Sequence, residues 1–231
     1  MTRNEYYARM RALARSVRTA HGLASCKVTR SDLRRIYKVH GINIDIWRHK
    51  LKDLRGAYFR DEFGTTVMVA DLPTDPMVFT LAHELKHHLA DQDVPLAPCG
   101  ARNQSEQVEI GAEIFAAELL FPEDDFRRVM ADIAVAHGAC RPEHIIRVKR
   151  STGTTLSYQG LVKRAEFLGF APSGSLPRAG WRVLEEEIFG IPFYKRRRRA
   201  QSAPRDEADE AAETPERQDE LPLFAAAGQQ R

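Results

Sequence analysis

Residues 83–87 read His83-Glu84-Leu85-Lys86-His87, an H-E-x-x-H run. On a helix, residues four apart share a face, so His83 and His87 project together. Two neutral imidazoles so placed can grip one Zn²⁺. Glu84, beside the first of them, can take a proton from water activated at the metal. The flanks suit a helix. Asp75-Pro76 is a start signal, a capping side chain before proline at the first helical position. Met77, Val78, Leu81, Leu85 and Leu89 then follow a helical apolar face, interrupted by Lys86. Upstream, residues 65–70 (Thr-Thr-Val-Met-Val-Ala) form a β-branched strand. A strand followed by a helix bearing two histidines is the arrangement a zinc peptidase needs; the plainer alternative is a helix with surface histidines.

Catalytic zinc wants three protein ligands and one open position. Residues 106–121 form a second strong helix, stopped by Pro122, with Glu109 and Glu113 one turn apart on one face. Ile110, Ile114 and Ala117 make an apolar stripe nearby, and Gly111, Ala112, Ala116 and Ala117 allow close helix approach. Either carboxylate can supply the third ligand.

The stretch Phe79-Thr80-Leu81-Ala82-His83-Glu84-Leu85-Lys86-His87 is followed by Glu109-x-x-Ala112-Glu113-x-Phe115-Ala116-Ala117-Glu118-Leu119-Leu120-Phe121-Pro122. Together they resemble the ImmA/IrrE family of bacterial metallopeptidases, whose pattern is close to T-L-A-H-E-L-G-H and then E-x-x-A-N-x-F-A-A-x-L-L-M-P. Lys86 stands where the family has glycine, and Glu113 where it has asparagine. The resemblance implies that Glu109 is the third metal ligand, with Glu113 buttressing a histidine from the second shell or exchanging roles with Glu109. Lys86, about 100° around the helix from His87, is expected to turn to solvent and leave the site intact.

The likeness extends over most of residues 1–170 and implies an α+β fold. It comprises a mostly helical zincin-like peptidase domain with a small antiparallel sheet, a helix-turn-helix-like C-terminal part and a disordered tail. Helices are expected over residues 4–20, 31–40, 123–137 and 142–150, with a further one running from Leu156 to the Phe167–Phe170 stop. Strands are expected over 42–47, 57–59 and 65–70. The domains would be residues 1–140, the peptidase with its basic N-terminal helices; 141–194, the helix-turn-helix-like region; and 195–231, the charged tail.

Charge is uneven beneath a net +3. Residues 1–55 hold 14 Lys/Arg against 4 Asp/Glu, and residues 195–199 add five consecutive cations. Basic surfaces of this kind make weak, non-specific nucleic-acid contact or remain solvated helix faces. Arg147, Lys149, Arg150, Lys163 and Arg164 would lie on or near the helix-turn-helix-like unit, which either touches DNA or merely packs. The tail lacks large apolar residues except at Leu221, Leu223 and Phe224. That peptide resembles the short motif by which bacterial proteins dock on the DNA-polymerase sliding clamp, with Glu220 where glutamine is usual.

Three cysteines, Cys26, Cys99 and Cys140, match no metal or redox spacing. No apolar run is long enough to span a membrane and the N-terminus lacks a signal core, so a cytoplasmic protein without membrane contact is expected. The resulting expectation is a zinc endopeptidase, with Zn²⁺ on His83, His87 and Glu109 and Glu84 as general base. His88, His137 and Tyr158 are oxyanion donors by residue type only, His88 being expected outside the first shell. The resemblance implies a regulatory role, cleaving a partner helix-turn-helix repressor of the XRE type in a mobile-element or stress programme. The competing readings are a DNA-associated adaptor with a zinc-stabilised core, or a toxin-like protease with another target.

Overall fold

Helix α1 (Arg3–Ala20) opens the chain, and its start is dictated locally: Thr2 accepts from the Glu5 amide while the Glu5 carboxylate accepts from that of Thr2. Helix α2 (Arg30–Val39) repeats the device with Thr29 and Asp32 and buries Leu33, Ile36 and Tyr37. The computed structural model describes residues 1–48, 55–62, 64–91, 96–98 and 106–190. The region 195–231, with the clamp-like peptide at Leu221, Leu223 and Phe224, and Cys99 lie outside the described residues. The chain divides into Met1–Ile188 and Phe189–Arg231, and every feature below belongs to the first unit except Phe189, the last residue of the final described helix.

Strands β1 (Ile42–Trp47), β2 (Gly56–Asp61), β3 (Gly64–Ala70) and β4 (Leu96–Pro98) form a four-stranded sheet in the order β1-β3-β2-β4. The fold is α+β, as the sequence implies, but the sheet is mixed and not antiparallel throughout. β2 pairs antiparallel with β3 and with β4, whereas β1 skips its sequence neighbour and pairs parallel with β3, Ile42 opposite Thr65. A sequence pattern fixes which residues alternate in and out; it does not say which edge a strand joins.

Helix α3 (Thr74–Ala90) lies on β2 and β3 and also packs against α2 and α4. Enclosed this way it buries residues around most of its circumference, including Met77, Val78, Leu81, Ala82 and Leu85. Its start differs from the sequence reading. Pro73 is the N-cap, Pro76 falls in the first turn where its missing N–H costs nothing, and Asp75 accepts a hydrogen bond from Lys149 at 2.7 Å instead of capping. Helix α4 (Glu106–Leu120) packs between α1 and α3.

Helix α5 (Glu123–Asp132) stops short of the expected His137: Ala134 takes a left-handed φ of +57° and the Val135 amide bonds back to Met130. Helices α6 (Pro142–Thr152) and α7 (Tyr158–Phe167) pack on one another across a turn begun by Gly153 at φ +59°. The last helix among the described residues, α8 (Trp181–Phe189), has no counterpart in the sequence reading. One apolar cluster joins α1–α4 to the sheet; a second, from Phe121 to Trp181, joins the later helices. Among the described residues no helix is long and apolar enough to cross a membrane.

Candidate metal centre

His83 and His87 emerge from the C-terminal half of α3 with ring centroids 5.1 Å apart. Glu109, in the first turn of α4, meets both: its carboxylate lies 3.3 Å from His83 Nε2 and 3.7 Å from His87 Nε2. One donor atom from each of the three residues falls within 4.8 Å of the others. A tetrahedral ion about 2.1 Å from each ligand spaces its donors roughly 3.4 Å apart, so the donor set and its spacing fit a single zinc-sized cation. Burial alone would raise the Glu109 pKa. The hydrogen bond and charge of His83, with the charges of His87 and Lys86, outweigh it and hold the carboxylate below its ordinary value.

The orientation of His87 has a visible cause. Its Nδ1 lies 2.6 Å from Asp91 Oδ2, one helical turn on. With Nδ1–H donating to that carboxylate, the Nε2 lone pair is left facing Glu109. Asp91, too, would be raised by burial but is carried below its ordinary pKa by hydrogen bonds from His87 and Lys86. The sequence reading missed Asp91, although the i, i+4 spacing from His87 was a usable signal.

Glu84 is fully buried on the sheet side of α3. It sits against Gly56, where a Cβ would fall 2.6 Å from Glu84 Oε1 and 2.6 Å from Thr80 Cγ2. Glycine is needed here for close approach of helix to strand. Its partnership with a residue on another element left no trace in the sequence.

Other residues singled out from the sequence are not brought to the cluster. Glu113 is half exposed and paired with Lys163 at 3.0 Å, and the support for His87 comes from Asp91. Lys86 does not turn to solvent: it has no exposed surface, and its ammonium bonds Asp91 and the Val108 carbonyl. His88 lies 3.3 Å from the Tyr58 hydroxyl and stacks edge-on with His40. His137 stacks on Phe170, and the Tyr158 hydroxyl donates to Glu185.

A cleft of about 550 Å³ begins one turn before His83 at Phe79 and one residue past Glu109 at Ile110. Ile114, Ala117, Leu156 and Phe167 extend its apolar wall, and Arg55 and Lys163 stand among its polar residues. Of the five cations placed on α6 and α7, four are paired internally: Lys149 with Asp75, Arg150 with Glu185, Lys163 with Glu113 and Arg164 with Glu118.

A peptidase-family model, described as the IrrE N-terminal-like domain, matches residues 38–142 and so takes in the sheet, α3 and α4. Residues 38–142 belong to the ImmA/IrrE family. The His83-His87-Glu109 group, which could hold a metal, falls wholly within this IrrE-like domain, while α1, most of α2, α7 and α8 lie outside the matched segment. No curated protein matches the chain. A solved structure of a Mycobacterium tuberculosis transcriptional regulator is similar at 17% identity and a TM-score of 0.45, over 71% of this chain and 50% of that one. The chain therefore spans half the length of that structure.

Proposed function

We propose that the protein is a zinc-dependent endopeptidase of the ImmA/IrrE type, working in the cytoplasm on a partner helix-turn-helix repressor. The observation that carries the reading is the meeting of His83, His87 and Glu109 beside a buried Glu84. His83, His87 and Glu109 would hold Zn²⁺. A zinc ion so held supplies Lewis acidity, making water more acidic and a peptide carbonyl more electrophilic.

The chain's own residues account for the rest. Asp91 fixes the His87 ring, so Nε2 is presented without searching rotamers. Gly56 admits the Glu84 carboxylate to the sheet side of α3, adjacent in sequence to His83. Glu84 accepts a proton from water as its oxygen bonds to the scissile carbonyl carbon, then delivers that proton to the departing amide nitrogen as the C–N bond breaks. A structural zinc would need no such base. The cleft from Phe79 to Phe167 is suited to hold a length of polypeptide with apolar side chains beside these groups.

A regulatory role and a repressor substrate follow by analogy with the family. One cut between DNA-binding and dimerisation regions would weaken operator binding. Zinc content and cleavage of a candidate XRE-type repressor should be measured together for wild type and Glu84→Ala. The expected result is one zinc in both, with cleavage by the wild type lowered by about 10²-fold or more in the variant. Zinc in both with equal cleavage would remove Glu84 as the base. No zinc after metal-replete purification would remove the ligand assignment.

A further inference from the structure

A lysine with no exposed surface, one residue from a metal ligand, is an expensive arrangement, since an ammonium loses its hydration unless every donor finds a partner. Lys86 meets that demand. Its Nζ donates to Asp91 Oδ2 at 2.6 Å and to the Val108 carbonyl at 3.0 Å, and it stands 5.8 Å from the centre of the Tyr6 ring. Two hydrogen bonds thus go to a carboxylate and a carbonyl, and the charge stands over an aromatic face. The Tyr6 ring is admitted by Gly111, where a Cβ would fall 2.6 Å from its Cε1.

The partners matter more than their number. Asp91 accepts from His87 Nδ1 through the same oxygen that Lys86 holds. Val108 is the residue before Glu109. One ammonium therefore joins the carboxylate that orients a ligand on α3 to the backbone that carries a ligand on α4. The pattern that this stretch resembles has glycine at this position, so the resemblance itself does not imply the link.

We propose that Lys86 is a positioning residue that clamps α3 to α4 and so sets the spacing between His87 and Glu109. This rests on the reading of His83, His87 and Glu109 as metal ligands. Charge alone would argue the opposite effect: removing a cation beside a cation site should tighten metal binding. The direction of the change separates a clamp from a merely electrostatic neighbour.

The test measures Zn²⁺ affinity by chelator competition, and the visible spectrum with Co²⁺ in its place, on the full chain. Wild type, Lys86→Met, Asp91→Asn and the double variant are compared. The clamp predicts that Lys86→Met binds zinc roughly tenfold more weakly, the lower end of losses seen when an outer partner of a ligand is removed. It also predicts altered Co²⁺ bands, and little further loss when Lys86→Met is added to Asp91→Asn. Equal or tighter zinc binding by Lys86→Met would overturn the proposal, as would losses that simply add in the double variant. Should Lys86→Met fail to fold, Lys86→Gln, which keeps a donor for one acceptor, replaces it under the same criteria. Failure of the wild type itself to bind zinc would instead remove the metal reading, and the clamp with it.

Discussion

At the first turn of α4, Glu109 stands 3.3 Å from His83 Nε2 and 3.7 Å from His87 Nε2, with its side chain 29% exposed. Near the other end of the same helix, Glu118 has no exposed surface. It accepts from Arg15 at 2.7 Å, from Arg164 at 2.7 Å and from the Glu123 amide at 3.0 Å. Arg18 adds a bond to the Leu119 carbonyl at 2.6 Å. The Glu118 cluster is closed: donors and acceptors lie at hydrogen-bond distance, and α1, α5 and α7 are tied together through one carboxylate. The Glu109 cluster is spaced as ligands are spaced around an ion, with the longer contact beyond hydrogen-bond range. Charge and burial alone do not distinguish a working carboxylate from a fastening one; the distances between partners do.

The strongest way to break this contrast is to truncate each glutamate in turn. Glu118→Ala should destabilise the protein by about 3–5 kcal/mol, because it leaves the buried Arg164 guanidinium only the longer 3.6 Å contact with Glu123, while His83, His87 and Glu109 are untouched. Glu109→Ala should abolish tight zinc binding and leave the metal-free melting curve nearly unchanged. Denaturant unfolding and metal titration of both variants check the pair; a Glu109→Ala protein that unfolds like Glu118→Ala would erase the distinction.

A smaller effect is expected at Gly56. An added methyl group collides with Glu84 and Thr80, so Gly56→Ala should cost about 1–3 kcal/mol of stability through overpacking. It should also lower peptide cleavage more than it lowers zinc affinity. Equal loss of both would mean that Glu84 is not the group displaced.

The smallest effect is on pH dependence. His21 and His88 flank His40, and both are held below the ordinary value of 6.5, by burial first, then by the charge of His40, with Arg35 and Arg60 adding to His21 and His88 respectively. A depressed folded-state pKa means that the unfolded chain binds protons first as pH falls. The stability is therefore present above 6.5 and lost as pH drops through the folded values. Melting temperature should decline from about pH 7 to about pH 5, and His21→Gln should flatten part of that decline. An unchanged slope in His21→Gln would assign the loss to other groups.

What could be read from the sequence was what helix geometry determines. Four-residue spacing puts His83 and His87 together, and the apolar run ending at Pro122 predicts α4 and brings Glu109 into reach. The IrrE-like domain and the α+β class were legible by another route, the resemblance of the stretches 79–87 and 109–122 to the family. What was not legible depends on which element lies opposite. Lys86 was expected to reach water because the three partners around it come from α1, α4 and the end of α3, far apart in sequence except for Asp91. Glu113 was expected to buttress a histidine or exchange roles with Glu109 because both lie on one face of α4, yet it meets Lys163 of α7 instead. Gly56 and the parallel pairing of β1 with β3 depend on approach between distant segments, for which a single sequence carries no local pattern.

The candidate metal centre lies where α3 ends and α4 begins, with His87 in the last turn of one and Glu109 in the first turn of the other. Each helix is also an electrical dipole, negative at its carbonyl end and positive at its amide end. The carbonyl end of α3 favours a cation held by His87, and the amide end of α4 favours a negative charge on Glu109, each by about 0.3–1 kcal/mol where exposed. Exchanging the ligands, a carboxylate closing α3 and a histidine opening α4, would keep the donor set and reverse both contributions. The order of these residues along the chain, histidines first and glutamate second, is thus the one in which the backbone itself favours a cation beside the histidines and the negative charge of the glutamate.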